Sequence, residues 1–324
     1  MYKALIIGDL HISDAYVGYH KDYWAECTEI LGKITSIIVD KGVTHLILTG
    51  DLVGLREKNF KQRASLMLFM MALKKWNELT DNNVYSLVGN HDMSGKTTDF
   101  ELFESLGLIK TTRTLGKNYL DINDARFHMI NFGDENNKIE LKTGGDATNI
   151  GITHADIQVT GKTTWWYPSN VRFELSTMMH WKGIEMIIAG HIHNPSPKMV
   201  TTDIDGSNVN LFYVGCPTRP RKNDNWSSCW GTLFDIDGST VNCSILEISL
   251  PADVFVETTE DIDTEELETD EVTKIEELAA ILNTLSEYKL DSDDDIEGQI
   301  KRFSGVDTKA MDLALEYYNR VKSE

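Results

Sequence analysis

The chain is predicted to be an α/β protein, a four-layer αββα sandwich with a small helical appendage at its C-terminal end. Three observations predict this. Short apolar runs alternate with helical spacing through the first hundred residues, and strand-and-turn patterning then dominates much of the chain up to residue 250. Beyond that, an acidic stretch is followed by two short amphipathic segments.

The elements follow in order. Ala4 to Ile7 is uninterrupted apolar sequence, as in a strand buried on both faces, and predicts a strand over 3–8. A helix at about 21–40, a strand at 43–49, a helix at about 58–80, a strand at 84–88 and a helix at about 98–107 complete a βαβ series. From Tyr119 to Phe132, and again from Val200 to Ile248, strands alternate with turn signals such as Asp205-Gly206 and Asp237-Gly238. These predict a second, largely antiparallel sheet. Packed face to face with helices outside, the two sheets make four layers over residues 1–250.

Pro251 is read as the break that opens an acidic linker over 251–270, since residues 257–270 are dominated by Thr, Glu and Asp with too few apolar groups to pack. In 271–324, Val272, Ile275, Leu278, Leu282, Leu285 and Tyr288 recur at helical spacing. After Asp291–Asp295 and Ser304-Gly305, Met311, Ala314, Leu315, Tyr318 and Val321 do so again. Two such short faces cover each other poorly, so the segment is expected to bind a partner. The alternative is that both helices fold back and complete the core of the first domain.

Five polar islands carry the chemistry: Gly8-Asp9-Leu10-His11, Gly50-Asp51-Leu52-Val53, Gly89-Asn90-His91-Asp92, Thr153-His154-Ala155 and Gly190-His191-Ile192-His193. The first three each follow an apolar run, which places them at the carboxyl ends of strands, where open α/β sheets bind ligands. Asp, Asn and His form a mixed oxygen and imidazole set suited to Mn²⁺, Fe²⁺ or Zn²⁺ rather than Mg²⁺ or Ca²⁺, and redox-stable Mn²⁺ is the preferred reading. Two such ions, about 3.5 to 4 Å apart, would activate water and relieve charge on a phosphate. A single G-D or H-x-H says little by itself; five islands in this order say much more.

The series D-x-H, G-D-x-V, G-N-H-D, a lone His and G-H-x-H resembles the calcineurin-like metallophosphoesterases, over Asp9 to His193. Gly190-His191-Ile192-His193-Asn194-Pro195, followed by Tyr213-Val214-Gly215-Cys216-Pro217 and Arg219, is similar to stretches of the SbcD-like nucleases, the nuclease subunits of SbcCD double-strand-break complexes. The short length suggests a phage relative. Two departures are visible: Cys216 stands where those nucleases usually have Ser, and the chain after residue 250 is short for a capping domain plus an ATPase-binding segment.

The resemblance implies two metal sites bridged by Asp51, with Asp9, His11 and His193 completing the first and Asn90, His154 and His191 the second. It implies that His91 protonates the leaving oxygen and that Asp92 orients its ring, a duty suited to an imidazole near its ordinary pKa. It also implies a metal-dependent DNA exonuclease and endonuclease, a homodimer contact through the helix after the second island, and docking of 271–324 on the coiled-coil base of an SbcC-like SMC-family ATPase. A stand-alone phosphodiesterase or phosphatase for small molecules or nucleotides is the second reading. A catalytically dead scaffold conflicts with the intact ligand set.

The formal charge of −20 sits mostly at the end: residues 251–324 carry 22 acidic and 7 basic side chains, against 29 and 24 in residues 1–250. Two divalent ions would bring the larger part to about −1, removing most of the objection to a DNA substrate. Cys27, Cys216, Cys229 and Cys243 show no C-x-x-C spacing and read as reduced thiols; with no export signal or membrane span, a cytoplasmic location is expected, in the host if the gene is a phage's.

His20, His45, His128 and His180 match no motif and are read as structural or solvent-facing. Arg219 and Arg221, with Lys222, are candidates to contact DNA phosphate. Arg56, Lys58, Lys61 and Arg63 read first as a solvated helix face, and Trp165, Trp166 and Tyr167 as core or interface before base-stacking. The apolar run from Leu66 to Leu73 reads as a buried helix or as part of a dimer contact.

Overall fold

The structure, a computed structural model, describes residues 1–13, 20–53, 63–94, 97–98, 100–135, 139–144, 147–158, 173–174, 181–194, 200–204, 207–220 and 226–255. The chain divides into two compact units, Met1–Thr259 and Glu260–Glu324. The amphipathic segments expected in 271–324 lie outside the described residues.

The elements are β1 (Tyr2–Ile7), α1 (Tyr23–Lys41), β2 (His45–Leu48), α2 (Arg63–Leu79), β3 (Val84–Ser86), β4 (Met93–Ser94), β5 (Thr97–Thr98), α3 (Phe100–Ser105) and α4 (Thr112–Leu115). Six more strands follow: β6 (Tyr119–Ile122), β7 (Ala125–Ile130), β8 (Thr148–Thr153), β9 (Ile157–Gln158), β10 (Phe173–Glu174) and β11 (Met186–Ala189). The last four are β12 (Val200–Ile204), β13 (Ser207–Tyr213), β14 (Ser228–Asp237) and β15 (Thr240–Ser249).

Two mixed sheets form the body. The first runs β15-β14-β1-β2-β3, with β1, β2 and β3 parallel and β14 antiparallel to β1. The second runs β12-β13-β11-β8-β7-β6, with β7, β8, β11 and β13 mutually parallel and only the edge strands β6 and β12 antiparallel. This corrects the expectation of a largely antiparallel second sheet. The Asp237-Gly238 turn does make a hairpin, but that hairpin completes the first sheet by pairing β14 with β1.

The sheets share one apolar layer, in which Ala4, Ile6, Ile47 and Ile236 of the first meet Phe127, Ile150, Ile152 and Phe212 of the second. Phe127 and Phe234 meet edge to face across it at 5.3 Å. A second layer, around Trp181, Ile184, Ile187 and Leu211, covers the far face of the second sheet.

The helix α1 begins where the Asp22 side chain accepts the Ala25 N–H at 2.9 Å and stops at Gly42, whose left-handed φ of 62° closes the cap. Its Ile30, Leu31, Ile34 and Ile38 are buried. In α2, Leu68, Phe69, Leu73 and Trp76 are buried, with Trp76 Nε1 donating to Thr35 of α1, while Met67 at the helix edge is 39% exposed.

Pro251 does not open the linker. Residues 251–255 stay tied to the first unit: Lys21 N–H donates to the Val254 carbonyl, Lys21 pairs with Asp253 at 2.7 Å, and Phe255 bridges His20. No helix among the described residues is long and apolar enough to cross a membrane.

Candidate active site

All five islands leave the carboxyl ends of parallel strands: β1, β2 and β3 in one sheet, β8 and β11 in the other. Register keeps these ends level, with Ile7 opposite Leu48, Leu48 opposite Ser86, and Ala189 opposite Thr153. The two sets meet in one cleft, so closely that a Cβ on Gly190 would strike Thr49 Oγ1 and the Asp9 carboxylate. Only glycine admits that approach.

The seven residues expected as ligands converge in two groups. In the first, His11 Nε2 lies 3.0 Å from His193 Nε2 and 3.7 Å from Asp51 Oδ2. In the second, Asn90 Oδ1 lies 3.1 Å from His154 Nε2 and 3.0 Å from His191 Nδ1. Asp51 stands between them, because the same Oδ2 is 3.2 Å from His154 Nε2. Asp9 is fully buried, its Oδ1 accepting from Thr49 Oγ1 at 2.9 Å and its Oδ2 from the His191 N–H at 2.7 Å.

Three of these residues have left-handed backbone: φ is 43° at His11, 48° at Asp51 and 73° at His191. Without glycine, such conformations cost on the order of 1–3 kcal/mol each and persist only where the surroundings fix them. Each is fixed through its amide. His11 N–H donates to the Asp51 carbonyl at 2.9 Å, Asp51 N–H to Asp92 Oδ2 at 2.6 Å, and His191 N–H to Asp9.

Asp92, expected to orient the His91 ring, accepts three backbone amides. Its Oδ2 accepts from Asp51 N–H and from Gly89 N–H at 2.8 Å, and its Oδ1 accepts from Leu52 N–H at 2.9 Å. It shapes the loops that carry Asp51 and Asn90. His91 is half-buried, its ring 5.3 Å from that of His11 and its N–H donating to Asp51 Oδ1 at 2.8 Å.

The expectation for Arg219 is corrected as well. The side chain is buried: Nε donates to Glu26 Oε1 at 2.7 Å, one terminal nitrogen to the Trp226 carbonyl at 3.0 Å and the other to the Pro251 carbonyl at 2.7 Å. A guanidinium spent this way holds α1, the loop after β13 and the chain after β15 together, and is not turned toward a phosphate. Arg221, Lys222, Arg56, Lys58, Lys61, His180, Trp165, Trp166 and Tyr167 lie outside the described residues. His20 and His128 are buried and bonded, to the Arg219 carbonyl at 2.9 Å and to Asn149 Oδ1 at 3.1 Å.

The electrostatics of the cleft suit positive charge. Burial, reinforced by the neighbouring Asp51 charge, pushes Asp9 up to about 7. Burial likewise works against the charge on Asp51, but His154 outweighs it and holds that carboxyl well below the usual range. At His154, burial opposes protonation while the Asp51 and Asp9 carboxylates prevail, giving about 10. His191 is pushed down to about 3 by burial and by His154, and His11 falls well below its ordinary value through burial and His193.

The donor set fits divalent cations. Ligand atoms of Asp9, His11 and Asp51 lie within 4.8 Å of one another, as do those of Asp51, His154 and His191, and those of His11, His193 and Cys216. Imidazole nitrogens with carboxylate and amide oxygens, shared through one carboxylate, suit a pair of borderline ions, and a cation there would return Asp9 to its ionised form. The Cys216 sulfur was not among the ligands expected from sequence.

Chemistry on phosphate esters is what such a donor set serves when it is buried at the junction of two sheets, and the chain is by class a metal-dependent phosphoester hydrolase. The calcineurin-like phosphoesterase family matches residues 2–195, and the chain belongs to that family. No curated protein matches it. Among solved structures, TT1561 of Thermus thermophilus is similar at 10% identity and a TM-score of 0.40, covering 75% of this chain and 98% of that one. YfcE, a phosphoesterase from E. coli, is similar at 13% identity and a TM-score of 0.36, covering 77% and 100%.

Proposed function

We propose that the chain is the nuclease subunit of an SbcCD-type repair and recombination complex, hydrolysing DNA phosphodiester bonds with two divalent ions, Mn²⁺ being the preferred metal. The observation that carries this reading is the stretch Tyr213-Val214-Gly215-Cys216-Pro217 with Arg219, which resembles SbcD-like nucleases and leads directly from β13, beside the strand that presents His191 and His193.

Asp9, His11, Asp51 and His193 would hold one ion and Asp51, Asn90, His154 and His191 the other. The ions supply charge relief on the phosphate and a water-derived nucleophile at neutral pH. His91 would give a proton to the departing oxygen, and Asp51 Oδ1 accepts its backbone N–H. Asp92 and Thr49 position the carboxylates and do not meet the substrate.

Residues 271–324 are proposed to dock on an SMC-type ATPase. The partly exposed Met67 edge of α2 supports a homodimer contact. A cytoplasmic site of action, in the host if the gene is a phage's, goes with this reading.

The test is cleavage by the full chain, with Mn²⁺, of end-labelled linear duplex and single-stranded DNA, beside bis-p-nitrophenyl phosphate and nucleotide monoesters. Metal-dependent shortening of DNA is expected. Intact DNA together with rapid hydrolysis of the small esters would establish the small-molecule reading instead.

A further inference from the structure

We infer that the first metal site is a sulfur-containing site, in which Cys216 joins His11 and His193 as a donor, so that this position selects a thiophilic divalent ion such as Zn²⁺, Fe²⁺ or Co²⁺ over Mn²⁺. The inference rests on the two-ion reading above and changes the metal assigned to one of its positions.

Three observations converge. The Cys216 sulfur lies with one ring nitrogen each of His11 and His193 in a set whose ligand atoms are all within 4.8 Å of one another. All three side chains are buried, at 0%, 1% and 3% exposure, so the sulfur is held among the imidazoles and away from solvent. Its loop is tied to both halves of the site: Cys216 N–H donates to the His193 carbonyl at 3.0 Å, and the Thr218 hydroxyl donates to the Leu10 carbonyl at 2.5 Å.

The approach is tight by construction. A Cβ on Gly8 would collide with the Gly215 carbonyl, so the loop after β13 rests against the first island itself. Trp226 Nε1 closes the loop from behind by donating to the Cys216 carbonyl at 3.1 Å. The sulfur also lies 3.6 Å from Thr218 Oγ1, which in turn accepts from the Tyr23 hydroxyl at 3.1 Å.

The consequence is one of softness. Imidazole and carboxylate alone accommodate Mn²⁺, whereas a thiolate added to two imidazoles favours Zn²⁺, Fe²⁺ and Co²⁺, and Cd²⁺ more strongly still. Coordination is balanced by one proton, since the thiol S–H breaks as the sulfur–metal bond forms and the proton passes to buffer. The second site has no sulfur in its group, so the two positions differ in the ion they prefer.

The test uses the full-length protein, stripped of metal and titrated with Co²⁺ alone, with uptake followed by calorimetry and absorption. A near-ultraviolet sulfur-to-cobalt charge-transfer band is expected at one equivalent, absent in Cys216→Ser and retained in Cys243→Ser, whose sulfur sits on β15. Cys216→Ser should also lose about 10-fold or more in Cd²⁺ affinity while holding Mn²⁺ within a few-fold.

Two ions bound without the band, or the band undiminished in Cys216→Ser, would overturn the inference and leave the two-metal reading standing. Failure of both Co²⁺ and Mn²⁺ to bind would overturn the two-metal reading and this inference with it. Cys216→Ala serves alongside if the Ser variant melts early: a folded Ala variant that keeps the band also refutes the assignment.

Discussion

Asp92→Asn distinguishes a carboxylate that builds loops from one that orients a catalytic ring. The side chain receives three backbone amides, two on Oδ2 and one on Oδ1, at 2.6 to 2.9 Å. Asn offers one oxygen and one NH₂ group, so in either orientation at least one buried amide faces a donor, which costs about 1–3 kcal/mol. The remaining bonds fall from charge-assisted to neutral, adding about 1 kcal/mol. A total of about 2–4 kcal/mol corresponds to a Tm drop of about 5–15 °C in a domain of this size. Because one of these amides fixes the left-handed backbone of Asp51, Mn²⁺ affinity should fall by about 10- to 100-fold. Thermal unfolding followed by near-ultraviolet circular dichroism, calorimetric Mn²⁺ titration and the pH profile of kcat check this together. Unchanged Tm and metal affinity with a displaced pH profile would show that Asp92 acts through His91, and the loop-building role would fall.

The other expectations are shorter. His91→Ala should leave Mn²⁺ stoichiometry unchanged and reduce cleavage by about 10² or more; loss of metal would refute its role as proton donor. Glu26→Ala leaves the Arg219 guanidinium buried beside an empty acceptor position, at a cost of about 3–5 kcal/mol, while the salt dependence of DNA cleavage stays as in wild type; a flattened salt dependence would restore Arg219 as a phosphate contact. His45, pushed down to about 4 by burial and by Lys110, stays neutral in the fold over a range where the unfolded chain takes up a proton. Its contribution is therefore complete above about pH 6.5 and is lost as pH falls toward 4, by on the order of 2 kcal/mol or less after solvent screening. Wild type minus His45→Gln in urea unfolding at several pH values reads it, and a loss on raising the pH would refute the sign. Removing residues 260–324 should preserve or improve DNA binding by deleting most of the negative charge, as gel shifts at fixed salt would report; abolished cleavage in a folded truncate would place the second unit in the active enzyme.

What the sequence discloses depends on how local each cause is. The strands β1 to β3 announce themselves, because a strand buried on both faces needs continuous apolar residues and Ala4 to Ile7 supplies them. The strands β8 and β11 lead into His154 and His191 yet are harder to see: Gly151 interrupts one and the other is only four residues long. Strand direction is not local at all. The turn-rich stretch after Val200 has the composition of hairpins, but β13 pairs in parallel with β11, a relation set by the chain's route around the sheet. Arg219 shows the same limit, since its ion-pair partner Glu26 is 193 residues away on α1 and nothing near residue 219 marks it.

The residues that the motif series singles out do meet in one site, whereas the means of holding them there was not legible, and the reason is physical. His11, Asp51 and His191 adopt backbone that sequence normally advertises with glycine, yet each needs its side chain in the cleft. The strain is met by amides given to other islands: His11 to Asp51, Asp51 to Asp92, and His191 to Asp9. The last of these bonds crosses from one sheet to the other. No island can then relax alone, since freeing His191 also uncovers Asp9, and freeing Asp51 loosens His11. Stability and metal affinity should therefore move together in variants that disturb these amides, and separately in variants such as His91→Ala that do not.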